Sequence, residues 1–459
     1  MNLQKVEIVY FLGIGGIGMS ALARYFHHHG KIVLGYDRTP TALTSELEME
    51  GISIHYDDSV LEIPQLLKVT SKEKILVIFT PAIPQDSAEK NWFIQNDFSL
   101  KKRSEVLGYI TAQSPTVAVA GTHGKTTTST LVAHLLQSAQ ISCNAFLGGI
   151  SSNYGTNLLL GQKNSWTIVE ADEFDRSFLT LSPKMAVITS MDADHLDVYG
   201  DDTHVKEGFN LFAQKVEKEG FVLYKKDLPL NTELLHTTNI ATYSISEKAT
   251  YTGDNIRIQN GKYIFDLKGP DFEFLDLEVG LPGRHNVENA TAACILALKC
   301  GCDEAQIRQG LASFRGVQRR FEYIISTPNI TYIDDYAHHP TELTAAILSA
   351  KELFPEKKIT GIFQPHLYSR TRDFLKDFAR SLELLDEIIL LPIYPARELP
   401  IEGITSEKLL AEINKPNKKL LHKSEVLPYF KNHSAEVLLT LGAGDIDTLV
   451  RELKGILRV

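Results

Sequence analysis

The run Thr116-Val-Ala-Val-Ala-Gly-Thr-His-Gly-Lys-Thr-Thr-Thr128 constrains the fold more than any other stretch of this chain. An apolar strand over 116–120 meets a glycine turn, and a Lys-Thr pair then opens a helix over about 125–137. Backbone N–H groups in such a turn, with the helix N-terminus behind them, make a cradle for phosphate oxygens. Lys125 would bring a cation to the β- and γ-phosphates, and the Thr126 hydroxyl would reach a magnesium ion. The commonest form of the loop has glycine five residues before Gly124, where this chain has Val119. What stands is the shorter Gly121-Thr122-His123-Gly124-Lys125-Thr126, continued by Thr127. A chance glycine turn is the bland alternative, and nucleotide binding is the better reading.

A second strand–turn–helix unit opens the chain. Val6–Leu12 reads as a strand, Gly13-Ile-Gly15-Gly16-Ile-Gly18 as the turn, and Met19–His29 as the helix. Strands at Ile32–Tyr36 and Ile75–Phe79 follow, and Asp37 stands where a dinucleotide fold places its ribose-binding acid. Alone, this motif leaves an NAD-dependent dehydrogenase open. A UDP-sugar presents the same diphosphate, and the motif does not choose between them.

Two acidic segments also follow apolar strands. Ile168-Val-Glu170-Ala-Asp172-Glu173-Phe-Asp175 comes after the strand at Trp166–Val169, and Asp192-Ala-Asp194-His195-Leu-Asp197 after the strand at Met185–Thr189. Parallel strands bring their carboxyl ends to one side, so both segments should converge on the phosphate loop, as hard-cation ligands do. Beyond them, 221–279 reads as short β-strands and 287–299 as an alanine-rich helix. A third block has strands at Tyr332–Asp334, Ile359–Phe363, Ile388–Pro392 and Val437–Leu441. Strands alternating with helices call for mainly parallel sheets in an α/β protein of several domains, with Thr111–Pro115 as a linker.

Bulk properties narrow the class. The net charge of −10 over 459 residues argues against a nucleic-acid surface, which needs clustered Lys and Arg. Cys143, Cys294, Cys300 and Cys302 lack metal or redox spacing and read as free thiols of a reducing compartment. No run approaches the ~18 apolar residues of a membrane span, and the N-terminus lacks a secretory pattern. A cytoplasmic location is expected.

Taken in order, GIGGIGMSALA (13–23), GTHGKTTT (121–128), EADEFDRSFL (170–179), GRHNVENATAA (283–293), RRFE (319–322) and DDYAHHPTE (334–342) resemble the Mur ligase family. The resemblance spans about 6–446. It implies a Rossmann-like UDP-sugar-binding domain (1–112), a P-loop-type ATP-binding domain with an added small β region (113–316) and a Rossmann-like amino-acid-binding domain (317–459). It further implies an ATP-dependent amide-bond ligase of peptidoglycan precursor synthesis, working through an acyl phosphate. DDYAHHPTE and FQPHLYSRTRDF (363–374) point within the family to UDP-N-acetylmuramate and L-alanine as substrates. A ligase adding murein tripeptide to the same sugar stays open.

By the same resemblance, Lys125, Glu170, His195 and Arg320 would be catalytic, with ATP and Mg2+ as cofactors. Gly121 to Thr127, Asn286, Asn289, Arg320 and Asp335 would border the ATP, and Thr126, Glu170 and His195 the metal. Gly13, Gly15, Gly16, Gly18, Met19, Ser20 and Asp37 would hold the UDP-sugar. Asp172, Glu173, His338, His339, His366, Arg370 and Arg372 would face the amino acid and the substrate carboxylate. A monomer or weak homodimer is expected, without nucleic acid or membrane as partner. Sister ligases carry a carbamylated lysine some fifteen residues after the metal-site histidine, where this chain reads Gly208-Phe-Asn210. Family members often have Arg where Leu367 stands.

Overall fold

A computed structural model describes residues 3–162, 164–192, 202–259, 261–396 and 398–457. The chain forms two compact units. One comprises Met1–Thr252, Lys268–Phe272 and Asn289–Gly310, and the other Gly253–Leu267, Glu273–Glu288 and Leu311–Val459.

The first unit opens with β1 (Ile8–Leu12), β2 (Ile32–Tyr36), β3 (Ser53–His55), β4 (Ile75–Phe79) and β5 (Leu100–Lys102), in the order β3-β2-β1-β4-β5. All four pairings are parallel, and Ile8 lies opposite both Ile32 and Ile75. Every residue of β1 is buried, which is why the strand reads as an unbroken apolar run. Alternation sends Val9 and Phe11 into one core cluster and Ile8, Tyr10 and Leu12 into another across the sheet.

The second sheet of this unit is built on β6 (Thr116–Ala120), with β9 (Trp166–Glu170) and β10 (Met185–Ile188) beside it. β7 (Cys143–Phe146) and β8 (Leu158–Leu159) lie beyond β9; β11 (Phe221–Lys225) and β12 (Ile240–Ser244) lie beyond β10. Val119 pairs with Glu170 and Ala120 with Ile188 in parallel register. The carboxyl ends of β6, β9 and β10 are therefore level, on the side where α/β ligand sites form. The expected linker Thr111–Pro115 is the turn between the helix that ends at Thr111 and β6. Thr111 is fully buried, the Thr116 hydroxyl donates to its carbonyl, and the Pro115 carbonyl accepts from Thr167.

The second unit takes most of β13 (Tyr251–Gln259), then β14 (Lys262–Lys268) and β15 (Glu273–Val279), neighbours in that order. Its main sheet runs β16 (Glu322–Ser326), β17 (Thr331–Asp335), β21 (Val437–Leu441), β18 (Ile359–Phe363), β19 (Glu387–Leu390) and β20 (Lys418–Leu420). Only the edge strand β16 pairs antiparallel. The α/β class with mainly parallel sheets is as expected. All four cysteines are free and three are buried; burial pushes the Cys143 thiol up to about 12. Among the described residues, no helix is long and apolar enough to cross a membrane.

Candidate active site

The glycine turn after β6 is shaped by what lies against it. Gly121 has φ +140°, and a Cβ there would fall 2.0 Å from the Thr189 hydroxyl, so no side chain fits. Gly124, at φ +82°, precedes the helix Lys125–Ser138, and a Cβ would meet Asn289 Oδ1 at 2.6 Å. Asn289 thus stands beside the loop. The loop is laced to the residues after β10: Ser190 Oγ accepts from the His123 N–H (2.7 Å) and contacts the Thr122 hydroxyl (2.9 Å). Thr189 donates to the His123 carbonyl (2.5 Å), and His123 Nε2 lies 3.2 Å from Asp192. Thr126 and Thr127 are buried at the helix start. Sequence reasoning missed Thr189 and Ser190; their position just after a strand beside β6 was the available signal.

Lys125 Nζ donates to the Gly121 carbonyl (2.6 Å), the Thr122 carbonyl (3.4 Å) and Glu173 (2.9 Å). Burial alone would lower its pKa, but the carboxylates of Glu173, Glu170 and Asp172 more than reverse this and hold it above the usual lysine range. The amine is charged at neutral pH. Glu173, expected near the amino acid, pairs with Lys125. Asp172 accepts from the Phe174 N–H and lies 3.5 Å from Arg103.

Glu170, at the end of β9, has a different environment. Its Oε2 is buried without a hydrogen-bond partner, and it lies where a Cβ on Gly148 would be only 2.0 Å away. A buried carboxylate oxygen left unpaired is costly unless something cationic satisfies it. Together with the Thr126 hydroxyl it offers hard oxygen donors that suit Mg2+, an ion that keeps several waters and needs few protein ligands. Among the described residues no trio of His, Cys, Asp and Glu gathers as a metal cluster. His195, the other expected ligand, lies outside the described residues.

The N-terminal loop is held by β2. The N–H groups of Gly13 and Ile14 donate to the Tyr36 carbonyl, and Gly15 N–H donates to Asp37 Oδ2 at 2.7 Å. Gly16 caps the helix Ile17–His28, and a Cβ on Gly18 would meet Arg103 Nη1 at 3.0 Å. The side chains of Met19 and Ser20 face inward: Met19 joins the core, and Ser20 bonds to Asn157 Nδ2 (2.9 Å) and the Ile17 carbonyl. Both were expected at the sugar nucleotide; their side chains pack the first helical turn. Arg103, unnoticed in the sequence, brings a basic group to this loop.

In the second unit, Asp335 ends β17. Its two oxygens accept from Phe321 and Ala337 N–H groups, both at 2.7 Å. Burial raises its pKa to about 6, against the lowering influence of Arg320. Arg320 stacks over Tyr336 (5.1 Å) and lies 3.6 Å from Glu342, between two residues at positive φ. His338 pairs with Glu342 (3.2 Å) and meets the His366 ring edge-on. Burial lowers the His338 pKa to about 4, so its imidazole is neutral at pH 7; Glu342 opposes the shift and Arg370 adds to it. His366 stacks on Tyr394, and the buried Arg370 reaches its Nδ1 at 3.4 Å.

Three further expected residues have local partners. His339 caps the helix Pro340–Leu353 by accepting from the Thr341 N–H, and packs on Phe374. Arg372 is half exposed and paired with its neighbour Asp373. Asn286 donates to the Pro282 carbonyl at the start of its own helix. Glu342 and Tyr394 were missed, since nothing local marks them as partners of histidines. Leu367 has φ 71°, an unusual backbone for a branched side chain, between His366 and Tyr368.

Three family models match the chain in order: the Mur ligase family catalytic domain over 8–115, the Mur ligase middle domain over 119–297 and the glutamate ligase domain over 319–447. The chain is similar to UDP-N-acetylmuramate–L-alanine ligase of Flavobacterium psychrophilum, at 51% identity over 99% of both chains. It is 49% identical to the enzyme of that name from Parabacteroides distasonis, over 100% of this chain and 98% of the relative. Among solved structures, UDP-N-acetylmuramate–alanine ligase from Thermotoga maritima matches at TM-score 0.79 and 30% identity, with 97% of each chain covered. A murein peptide ligase from Psychrobacter arcticus shares the fold at TM-score 0.73 and 22% identity, over 98% of each. With family models matched along nearly its whole length and relatives near half identity end to end, the chain belongs to the Mur ligase family.

Proposed function

We propose that this chain is an ATP-dependent ligase that joins L-alanine to the lactyl carboxylate of UDP-N-acetylmuramate in peptidoglycan precursor synthesis, releasing ADP and phosphate. The observation that carries this reading is the 51% identity, over 99% of both chains, to a UDP-N-acetylmuramate–L-alanine ligase. A carboxylate does not condense with an amine unaided, because its oxygen is a poor leaving group. In the proposed reaction the carboxylate oxygen attacks the γ-phosphorus and ADP leaves. The alanine nitrogen then attacks the acyl carbon, and phosphate departs as the amide forms.

The residues divide this work. The turn from Gly121 to Thr127 binds the triphosphate through its N–H groups, and Lys125 neutralises charge on the transferring phosphoryl group. Thr126 and Glu170, with His195, would hold Mg2+, which when bound supplies further neutralisation of the phosphates. The loop from Gly13 to Gly18, with Asp37, takes the UDP moiety, and Arg103 adds a cation there. Asn286, Asn289, Arg320 and Asp335 are assigned to the nucleotide. His338, His366 and Arg370, with Glu342, are assigned to alanine, whose amine must lose a proton before it attacks. We take the domains to end near residues 112 and 316, and the enzyme to be cytoplasmic and a monomer or weak homodimer.

The test is ADP release from purified protein given ATP, Mg2+ and UDP-N-acetylmuramate with a panel of amine substrates. L-Alanine should be strongly preferred over glycine, L-serine and murein tripeptide, with a new amide product detected by mass. Preference for the tripeptide would replace alanine as the substrate, and no amide product with any amine would end the proposal.

A further inference from the structure

We propose that Glu173 is a latch on the phosphate loop: a positioning residue that holds Lys125 until nucleotide phosphate takes its place. The proposal rests on reading the turn from Gly121 to Thr126 as the nucleotide loop. Glu173 is 1% exposed, and both its carboxylate oxygens lie on the Lys125 amine, at 2.9 and 2.8 Å. An ammonium has three N–H donors. Here they meet Gly121 O, Thr122 O and the carboxylate, so all three are engaged.

An incoming phosphate must therefore displace a partner. The two carbonyls belong to the loop itself and are fixed by its backbone, whereas the carboxylate is carried on a side chain with three rotatable bonds. It is also the one anion of the three, and two anions crowded on one buried ammonium repel each other at low dielectric. The partner that leaves is Glu173. Its backbone is held in place by Arg176 N–H on the Glu173 carbonyl and Phe178 N–H on the Asp172 carbonyl, so the movement is confined to the side chain. Nucleotide affinity is thereby lowered by the contact that must be broken, and product ADP leaves faster for the same reason.

Calorimetry of ADP with Mg2+ on wild type and Glu173→Gln, together with steady-state kinetics, tests this. The amide keeps the shape and removes the charge. ADP should bind roughly tenfold more tightly, the size of one charge-assisted contact, while KM for ATP falls and kcat falls with slower ADP release. A purely structural role would weaken binding and lower the melting temperature instead. An unchanged or weaker ADP affinity in a folded variant would overturn the latch alone; no ADP binding by wild type would overturn the nucleotide reading with it. Should the variant not fold, a crystal structure of wild type with ADP decides the matter. A Lys125–Glu173 separation beyond about 4 Å, the limit of an ion pair, supports the latch, and retention of the pair refutes it.

Discussion

Gly148 gives the sharpest handle on Glu170, the carboxylate proposed above to hold Mg2+, because it has no direct chemistry of its own. A Cβ at this position would lie 2.0 Å from Glu170 Oε2, 2.5 Å from Cδ and 2.7 Å from Oε1. Ordinary contact begins near 3.4 Å, so in Gly148→Ala the carboxylate must retreat by about 1.4 Å; displacements of about 1 Å in catalytic geometry can cost on the order of 100-fold. The cost to the fold should be small. An off-rotamer side chain costs about 0.5–1.5 kcal/mol, and replacing glycine by alanine returns about 0.4–1 kcal/mol through the unfolded chain. The expected result is alanine-dependent ADP release reduced by on the order of 100-fold, with a higher Mg2+ concentration needed for half-maximal rate and a melting temperature close to wild type. Initial rates across a Mg2+ series, with a thermal melt on the same sample, measure all three. A folded Gly148→Ala enzyme with wild-type rate and Mg2+ requirement would refute the placement of Glu170 at the metal.

Three further outcomes are expected. Lys125→Ala should leave a folded protein with no measurable alanine-dependent ADP release, and near-normal turnover would remove Lys125 from the phosphate site. Asp335 has its folded-state pKa raised to about 6 by burial, above the ordinary aspartate value of about 4. Its protonated form is therefore favoured by folding, and that contribution is full below about pH 4 and lost as pH rises through about 6. Stability of wild type relative to Asp335→Asn, from urea melts, should fall across this window; a difference that is flat or rises with pH would contradict it. His339→Ala should lose about 1 kcal/mol of stability as a helix cap, while His339→Asn should retain most of it. A large loss of kcat in His339→Asn with unchanged stability would return His339 to the substrate site.

Local chemistry was legible in the amino-acid sequence because it repeats local physics. The strands before Gly13 and Gly121 are apolar runs buried on both faces, and the glycines mark backbone conformations that side chains exclude. The convergence of Glu170 with the phosphate loop also followed, since parallel strands place their carboxyl ends together. What tertiary structure decided was the choice of partner among groups of equal local promise. Glu170 and Glu173 are carboxylates at and just past the end of the same strand, yet one has an unpaired oxygen under Gly148 and the other pairs with Lys125, 48 residues away. His338 and His339 are adjacent; one enters a polar cluster and the other caps a helix. Met19 and Ser20 adjoin the glycine loop but turn into the core. Sequence fixes which groups are available and how the backbone bends near them. Which of them stay free for substrate depends on hydrogen bonds and packing between distant segments, and those exist only once the chain is folded.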